Sequence, residues 1–245
     1  MRAGSGRASK EAAVLRPDDF FDLSGFEHAA LFEGVSYVWE ALTRLEEYIE
    51  KRLKPGVRGK VMEGASIEGP VFIGPDTVVE PGALVRGPTI IGKGCEIRQG
   101  CYIRGQVIVG DGAIVGHASE LKGSVLLNEA KAPHFNYVGD SILGADCNLG
   151  AGTICSNLKV TWEPVVVKVE GREYDTGLLK LGAIVGDHAE TGCNTVLNPG
   201  TLLGKRSLTY PCCSLRGYYP PDSVIKLRQN IQVVERAPSG RLKEA

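Results

Sequence analysis

The chain has no apolar run long enough to cross a membrane, no marked excess of either charge and no C-x-x-C pair. The first absence excludes a helical membrane span. The second, a formal net charge of −1 over 245 residues, excludes strong electrostatic capture of nucleic acid. The third removes the usual zinc and dithiol signatures, and the adjacent Cys212–Cys213 pair has no metal-binding spacing. The seven cysteines therefore read as reduced thiols of a cytoplasmic protein, and no metal is expected. Met1–Pro17 carries Arg2, Arg7 and Lys10 without an apolar h-region, so it is predicted to be a disordered arm and not a secretory signal.

What is present is a six-residue beat. An aliphatic residue opens each unit at Val61, Ile67, Ile73, Val79, Val85, Ile91, Ile97, Ile103, Val109, Val115 and Leu121. The beat returns at Leu143 and Leu149, and again at Val185, Thr191, Leu197, Leu203, Thr209 and Leu215. The fifth residue of each unit is small, as at Ala65, Ala83, Cys95, Cys101 and Ala113. Cys147 and Cys213 take the same place, where a thiol serves as a small hydrophobe. Each unit holds a short extended stretch and a turn, and three make a triangular coil of about 18 residues whose coils stack about 4.8 Å apart. The pattern predicts an all-β chain, a left-handed parallel β-helix with a short N-terminal helical unit. That hand departs from the usual right-handed crossover and is accepted because the hexapeptide pattern is so specific.

Three regions follow: an arm and helix over 1–56, the β-helix over 57–215 with an insertion at 158–181, and a tail over 216–245. Leu31, Phe32, Val35, Val38, Trp39, Leu42, Leu45 and Ile49 recur at helical spacing, and Pro55-Gly56 stops the helix. The helix is expected to pack on the coil or a neighbouring subunit and to cap the solenoid's open edge. The beat slips by two residues between Leu121 and Leu143, which reads as an interruption. Within the insertion, Val165–Val169 and Arg172–Tyr174 flank Glu170-Gly171 and read as a projecting hairpin. The tail is expected to be extended or mobile.

Arg86, Arg104 and Lys122 lie eighteen residues apart, so they are predicted to stack as a basic ladder. Such a ladder is either a solvated edge or an anion site, and these side chains suit phosphate. His134 lies in the slipped segment, where an imidazole could stand in a cleft and act as a general base, with Glu120 to orient its ring. A zinc site of His117, His134 and His188 is the rival, but spacings of 17 and 54 do not suggest that these residues meet.

The run from Lys131-Ala-Pro-His134-Phe-Asn-Tyr137 through Asn148-Leu-Gly-Ala-Gly-Thr-Ile-Cys-Ser-Asn157 resembles the glucosamine-1-phosphate N-acetyltransferase domain of the bifunctional enzymes that make UDP-N-acetylglucosamine. Asp175–Asp187 is similar to the archaeal sugar-1-phosphate versions. The resemblance covers about residues 60–215 and is densest over 116–157. It implies His134 as the base, with Glu120 nearby; Arg104, Lys122, Tyr137 and Lys180 on the sugar phosphate; Asn148 and Asn157 positioning sugar and donor. It further implies the Ala151 N–H at the oxyanion and Cys193 beside acetyl-CoA, where the bacterial family has serine. No glycine-rich nucleotide loop precedes the coil, so UTP-dependent chemistry is not expected in this chain.

The expected activity is acetyl transfer from acetyl-CoA to the amine of a hexosamine 1-phosphate, in a homotrimer whose sites are shared between coils. Other readings stay open: an acyltransferase for a nucleotide-linked sugar or a hydroxyl acceptor, a non-catalytic trimeric assembly module, and a γ-type carbonic anhydrase.

Overall fold

A computed structural model describes residues 15–235. Three parallel sheets of nine, nine and eight strands make the walls of a left-handed β-helix. The first sheet runs from Gly56–Val57 to Tyr218–Tyr219, the second from Lys60–Val61 to Val224–Ile225, and the third from Ser66–Glu68 to Ser214–Leu215. The beat residues point inward. Ile73, Ile91 and Val109 from the first sheet meet Val79, Ile97 and Val115 from the second and Val85, Ile103 and Leu121 from the third, all with no exposed surface. Cys95, Cys101, Cys147, Cys155 and Cys213 are buried among them, and burial pushes the Cys101 and Cys155 thiols up to about 12.

The interruption expected between Leu121 and Leu143 is not a loop. Strands Val125–Leu126, Lys131–His134, Tyr137–Gly139 and Ile142–Leu143 continue all three walls. Two coils are each one residue short: Ile108 pairs with Val125 and Val125 with Ile142, both 17 residues on. Each omission falls at the corner between the third and first sheets, and a serine fills it. Ser124 Oγ donates toward the Lys122 and Val138 carbonyls at 2.8 and 3.1 Å and accepts from the Ser141 N–H at 3.1 Å. Ser141 Oγ repeats the device, bonding the Gly139 carbonyl at 2.7 Å and the Ala183 N–H at 2.9 Å. Ser119 and Thr77 make the same bonds at full-length corners, so the hydroxyl keeps the buried backbone satisfied where the coil is short as well.

The N-terminal segment is not one helix and does not cap the coil. It folds as short helices Pro17–Phe20, Ala29–Phe32, Glu40–Thr43 and Leu45–Arg52 and lies along the outer face of the first sheet. Phe20, Phe21, Phe32, Trp39, Leu45 and Ile49 bury against the outward residues Ile90, Ile108, Val125, Ile142, Ile184 and Leu202. The hairpin of Val166–Val169 and Arg172–Asp175 joins the same layer through Val167 and Val169. The first sheet is thus buried on both faces, which explains its continuous apolar strands such as Thr89–Ile91 and Val107–Val109. Residues 1–14 of the expected arm lie outside the described residues. Leu15 and Pro17 do not belong to an arm, since both are buried. The expected tail adds a further partial coil, with Tyr218–Tyr219 and Val224–Ile225 pairing onto the sheets; 236–245 lie outside the described residues.

His28 is buried in this covering layer, with Nδ1 3.2 Å from the Tyr48 hydroxyl, and burial lowers its pKa. The unfolded imidazole binds a proton more readily than the folded one. Stability contributed by the neutral ring is therefore complete above the unfolded value of about 6.5 and is lost as pH falls through the lower folded value. Melting curves taken between pH 7.5 and 5 should show His28→Phe flattening the acid-side decline.

Candidate functional site

The outward residues of the third sheet form two columns. One carries Tyr102, Glu120 and Tyr137 in register. The other carries Glu68 and Arg86, then Arg104, then Lys122 opposite Gly139. The basic ladder is therefore present as a column, but it is not a bare one. Arg86 pairs with Glu68 at 2.7 Å and donates to the Tyr102 hydroxyl at 2.6 Å. Arg104 pairs with Glu120 at 2.7 Å, and Lys122 with Asp140 at 3.0 Å. The Tyr102 ring lies under both Arg86 and Arg104, 5.4 and 5.9 Å from their guanidinium carbons. Interleaved carboxylates and a ring relieve the repulsion that stacked cations would suffer.

Around Lys122 the predicted residues converge. Asp140 accepts from Lys122 and from the Asn157 amide. Gly139 leaves the space that Tyr137 and Asn157 occupy: a Cβ there would stand 2.6 Å from the Tyr137 hydroxyl and 2.7 Å from Asn157 Nδ2. Burial, then the nearby Glu120 and Asp140 charges, raise the Tyr137 pKa. Lys180 lines a cavity of about 180 Å³ with Asp140, Gly123 and Gln106, and pairs with no carboxylate among the described residues. Arg104, Glu120, Lys122, Tyr137, Asn157 and Lys180 thus gather on and beside the third sheet.

Of the other predicted residues, His134, Ala151 and Cys193 line the corner between the second and third sheets. There the carbonyls of Gln99, His117, His134, Ala151 and Cys193 accept in turn from the N–H groups of Ala118, Phe135, Gly152, Asn194 and Cys212, at 2.8–3.3 Å. His134 is exposed at the end of its strand. Its register partner is His117, because seventeen residues is one shortened coil; the spacing judged against their meeting brings them together. The His117 ring packs edge-on to Phe135, 5.2 Å between centroids. His188 lies elsewhere, 3.4 Å from Asp146, and among the described residues no three His, Cys, Asp or Glu side chains gather as a metal site. The Ala151 N–H meets no acceptor among the described residues. Asn148 sits on the outer face of the second sheet, opposite Lys131 and Glu190. Glu120 is not brought to the His134 ring: Arg104 holds its carboxylate.

Two residues escaped the sequence reading. Asp140 matters because it binds both Lys122 and Asn157, and its place one coil beyond Gly123 was hidden by the shortened coils. Asn136 is 2% exposed; its Oδ1 accepts from the His134 N–H at 3.1 Å and its Nδ2 donates to the Gly150 carbonyl at 2.9 Å. Asn136→Leu strips the His134 N–H of its acceptor, while the Gly150 carbonyl keeps the Thr153 N–H at 3.1 Å, and should cost about 1–2 kcal/mol, measurable by urea unfolding.

The geometry defines a class: a left-handed β-helix of hexapeptide units, bearing an exposed imidazole at one corner and a compensated cation cluster on the adjoining face. The chain belongs to the family described as the GMPPB C-terminal domain, which matches residues 85–214. It is 41% identical over 214 residues to the bifunctional protein GlmU of Methanococcus maripaludis strain C7, covering 87% of this chain and 52% of that protein. It is 43% identical over 82 residues to the bifunctional sugar-1-phosphate nucleotidylyltransferase/acetyltransferase of Sulfurisphaera tokodaii, covering 34% of this chain and 20% of that protein. A solved structure, the UDP-N-acetylglucosamine acyltransferase of Francisella novicida, aligns at TM-score 0.42 and 15% identity, over 63% of this chain and 58% of that chain. The chain spans about half the length of the first curated relatives it matches. No described helix is long and apolar enough to cross a membrane.

Proposed function

We propose that the chain is an acetyl-CoA-dependent N-acetyltransferase acting on a hexosamine 1-phosphate, with His134 as general base. The observation that carries this reading is the nearness of two unlike groups along one short stretch. An exposed imidazole ends the strand Lys131–His134, and three residues on Tyr137 enters the cluster of Arg104, Lys122, Asn157 and Lys180. A phosphorylated amino sugar needs both features, an anion anchor and a base for its ammonium group. The names of the relatives, GlmU and a sugar-1-phosphate acetyltransferase, point the same way.

The chemistry follows in one direct transfer. The ammonium first gives one proton to solvent, since only the free amine can attack, and the His134 ring takes a second proton from nitrogen as it adds to the thioester carbonyl. The Ala151 N–H, unpaired among the described residues, faces the growing oxyanion. The tetrahedral adduct collapses, the C–S bond breaks, and CoA leaves as a thiol with the proton returned. Lys180 holds the phosphate, joined by Arg104 and Lys122 as Glu120 and Asp140 share them. Tyr137 contacts the phosphate side; Asn157 and Asn148 position sugar and donor; Cys193 stands beside the CoA chain. Glu120 acts through Arg104. The first sheet is covered by the chain's own N-terminal layer, so a homotrimer would use the second and third sheets, bringing Asn148 of one copy toward the cluster of the next. Acetyl-CoA and reduced thiols together suit the cytoplasm.

The test is a thiol-release assay with acetyl-CoA and a panel of acceptors, alongside light scattering. Turnover on glucosamine or galactosamine 1-phosphate by a trimer is expected. Turnover only on a nucleotide-linked amino sugar, or only on a hydroxyl acceptor, replaces this acceptor with that one. No thiol release with any acceptor, and no thermal protection by CoA, leaves a non-catalytic trimeric module.

A further inference from the structure

A concentration of cations that have no carboxylate partners among the described residues lies away from the His134 corner. Where the helix Leu45–Arg52 ends against the outer face of the first coils, a cleft of about 560 Å³ opens, a size suited to a small organic ligand. Lys51, Arg52, Lys54 and Arg58 line it, with Glu27 as the acid in the wall. Among the described residues, Arg52, Lys54 and Arg58 make no ion pair, whereas Arg86, Arg104 and Lys122 each do. Lys51 is answered by Glu47. With both acids counted, the cleft keeps a net charge of about +2.

Each of the two guanidiniums has an aromatic neighbour. Arg52 lies over the Tyr48 ring at 5.7 Å and Arg58 over the Phe72 ring at 5.6 Å. A cation–π contact of this kind draws each guanidinium toward the wall of the cleft and leaves N–H groups for an oxyanion. Two guanidinium forks and an ammonium match two linked phosphate groups better than a single carboxylate. The helix end explains part of the charge, since Lys51 and Arg52 sit in its last turn. It does not explain Lys54 and Arg58, which lie beyond it.

We propose that this cleft is a second ligand site, separate from the proposed acyltransferase centre, and that it binds a diphosphate carried by a small molecule. The diphosphate has two sources, inorganic pyrophosphate and a nucleoside diphosphate, and both present the same pair of anionic groups to Arg52 and Arg58.

Calorimetric titration of the full chain with pyrophosphate and with UDP, in buffer without divalent metal, tests this. Saturable binding that weakens as salt rises is expected. Arg52→Gln and Arg58→Gln should each lower affinity about tenfold or more, in keeping with the loss of a charge-assisted hydrogen bond. Arg58→Lys should lose less, and Lys226→Gln, an exposed cation at the other end of the coil, should lose nothing. Tighter binding of UDP than of pyrophosphate assigns the site to a nucleoside diphosphate; equal binding assigns it to the diphosphate alone. Absence of binding at millimolar probe overturns the proposal. So does affinity that survives both arginine substitutions or vanishes with Lys226→Gln. Both arginines are exposed, so these variants should fold, and an unchanged melting temperature checks it.

Discussion

His134→Ala should lower kcat for acetyl transfer by roughly 10²–10⁴-fold while leaving the fold intact, the span that general-base catalysis ordinarily supplies. The structural side of this expectation is secure, because the ring is exposed and its backbone, not its side chain, joins the corner ladder. The N–H remains tied to Asn136 and the carbonyl to Gly152, so Phe135, Asn136 and Tyr137 should stay where they are. KM for the sugar phosphate should therefore change little, since Arg104, Lys122 and Lys180 are untouched. Lys180→Ala should give the opposite split, a raised KM with a smaller effect on kcat. Undiminished turnover by folded His134→Ala ends the assignment of His134 as base. A neighbouring imidazole is then the first candidate to examine, since His117 is the register partner of His134 one coil away.

The solenoid was legible because its signal repeats. One aliphatic side chain in six, always inward, states the period, the number of walls and the identity of the core. The cation column was legible for the same reason, as Arg86, Arg104 and Lys122 share a place in successive coils. What the pattern concealed came from two one-residue omissions. They made the segment around His134 look like a break, when Ser124 and Ser141 had absorbed them at the corner. With the true coil length of 17 at that point, His117 and His134 fall into register, and Asp140 falls beside Lys122. The partners of the cations were hidden for another reason. Glu120 precedes its inward neighbour and Arg104 follows its own, so their pairing is diagonal between two coils, at sixteen residues and not the eighteen of the beat. The N-terminal layer misled through periodicity. Its apolar residues recur at helical spacing, yet Gly34 and the chain around Ser36 break the helix, and the residues bury against a flat sheet along separate short turns.

Gly116→Ala should be among the most damaging single substitutions outside the inward core. Its backbone is not in the left-handed region, so no conformational penalty attaches to a side chain there. The obstacle is contact: a Cβ would stand 1.6 Å from the Pro133 carbonyl oxygen and 2.0 Å from its carbon. Both belong to the backbone of the next coil, so nothing can rotate away, and the two coils must separate. That strains the second sheet between the strands Ile114–His117 and Lys131–His134. A cost of about 3 kcal/mol or more is expected, within the range of severe packing defects. At roughly 2–4 °C per kcal/mol for a chain of this size, melting should fall by about 6–12 °C. Gly94→Ala is the matched control. Gly94 has φ +63° but open space around it, so its penalty is conformational alone, about 1–2 kcal/mol. The two variants should also differ in function. Pro133 immediately precedes His134, so displacement of its carbonyl moves the proposed base, and Gly116→Ala should lose activity even at temperatures where it is fully folded. Gly94 lies at a distant corner and should not. If Gly116→Ala melts no lower than Gly94→Ala, the coils are not packed backbone to backbone at this corner, and the geometry assigned to His134 fails with it.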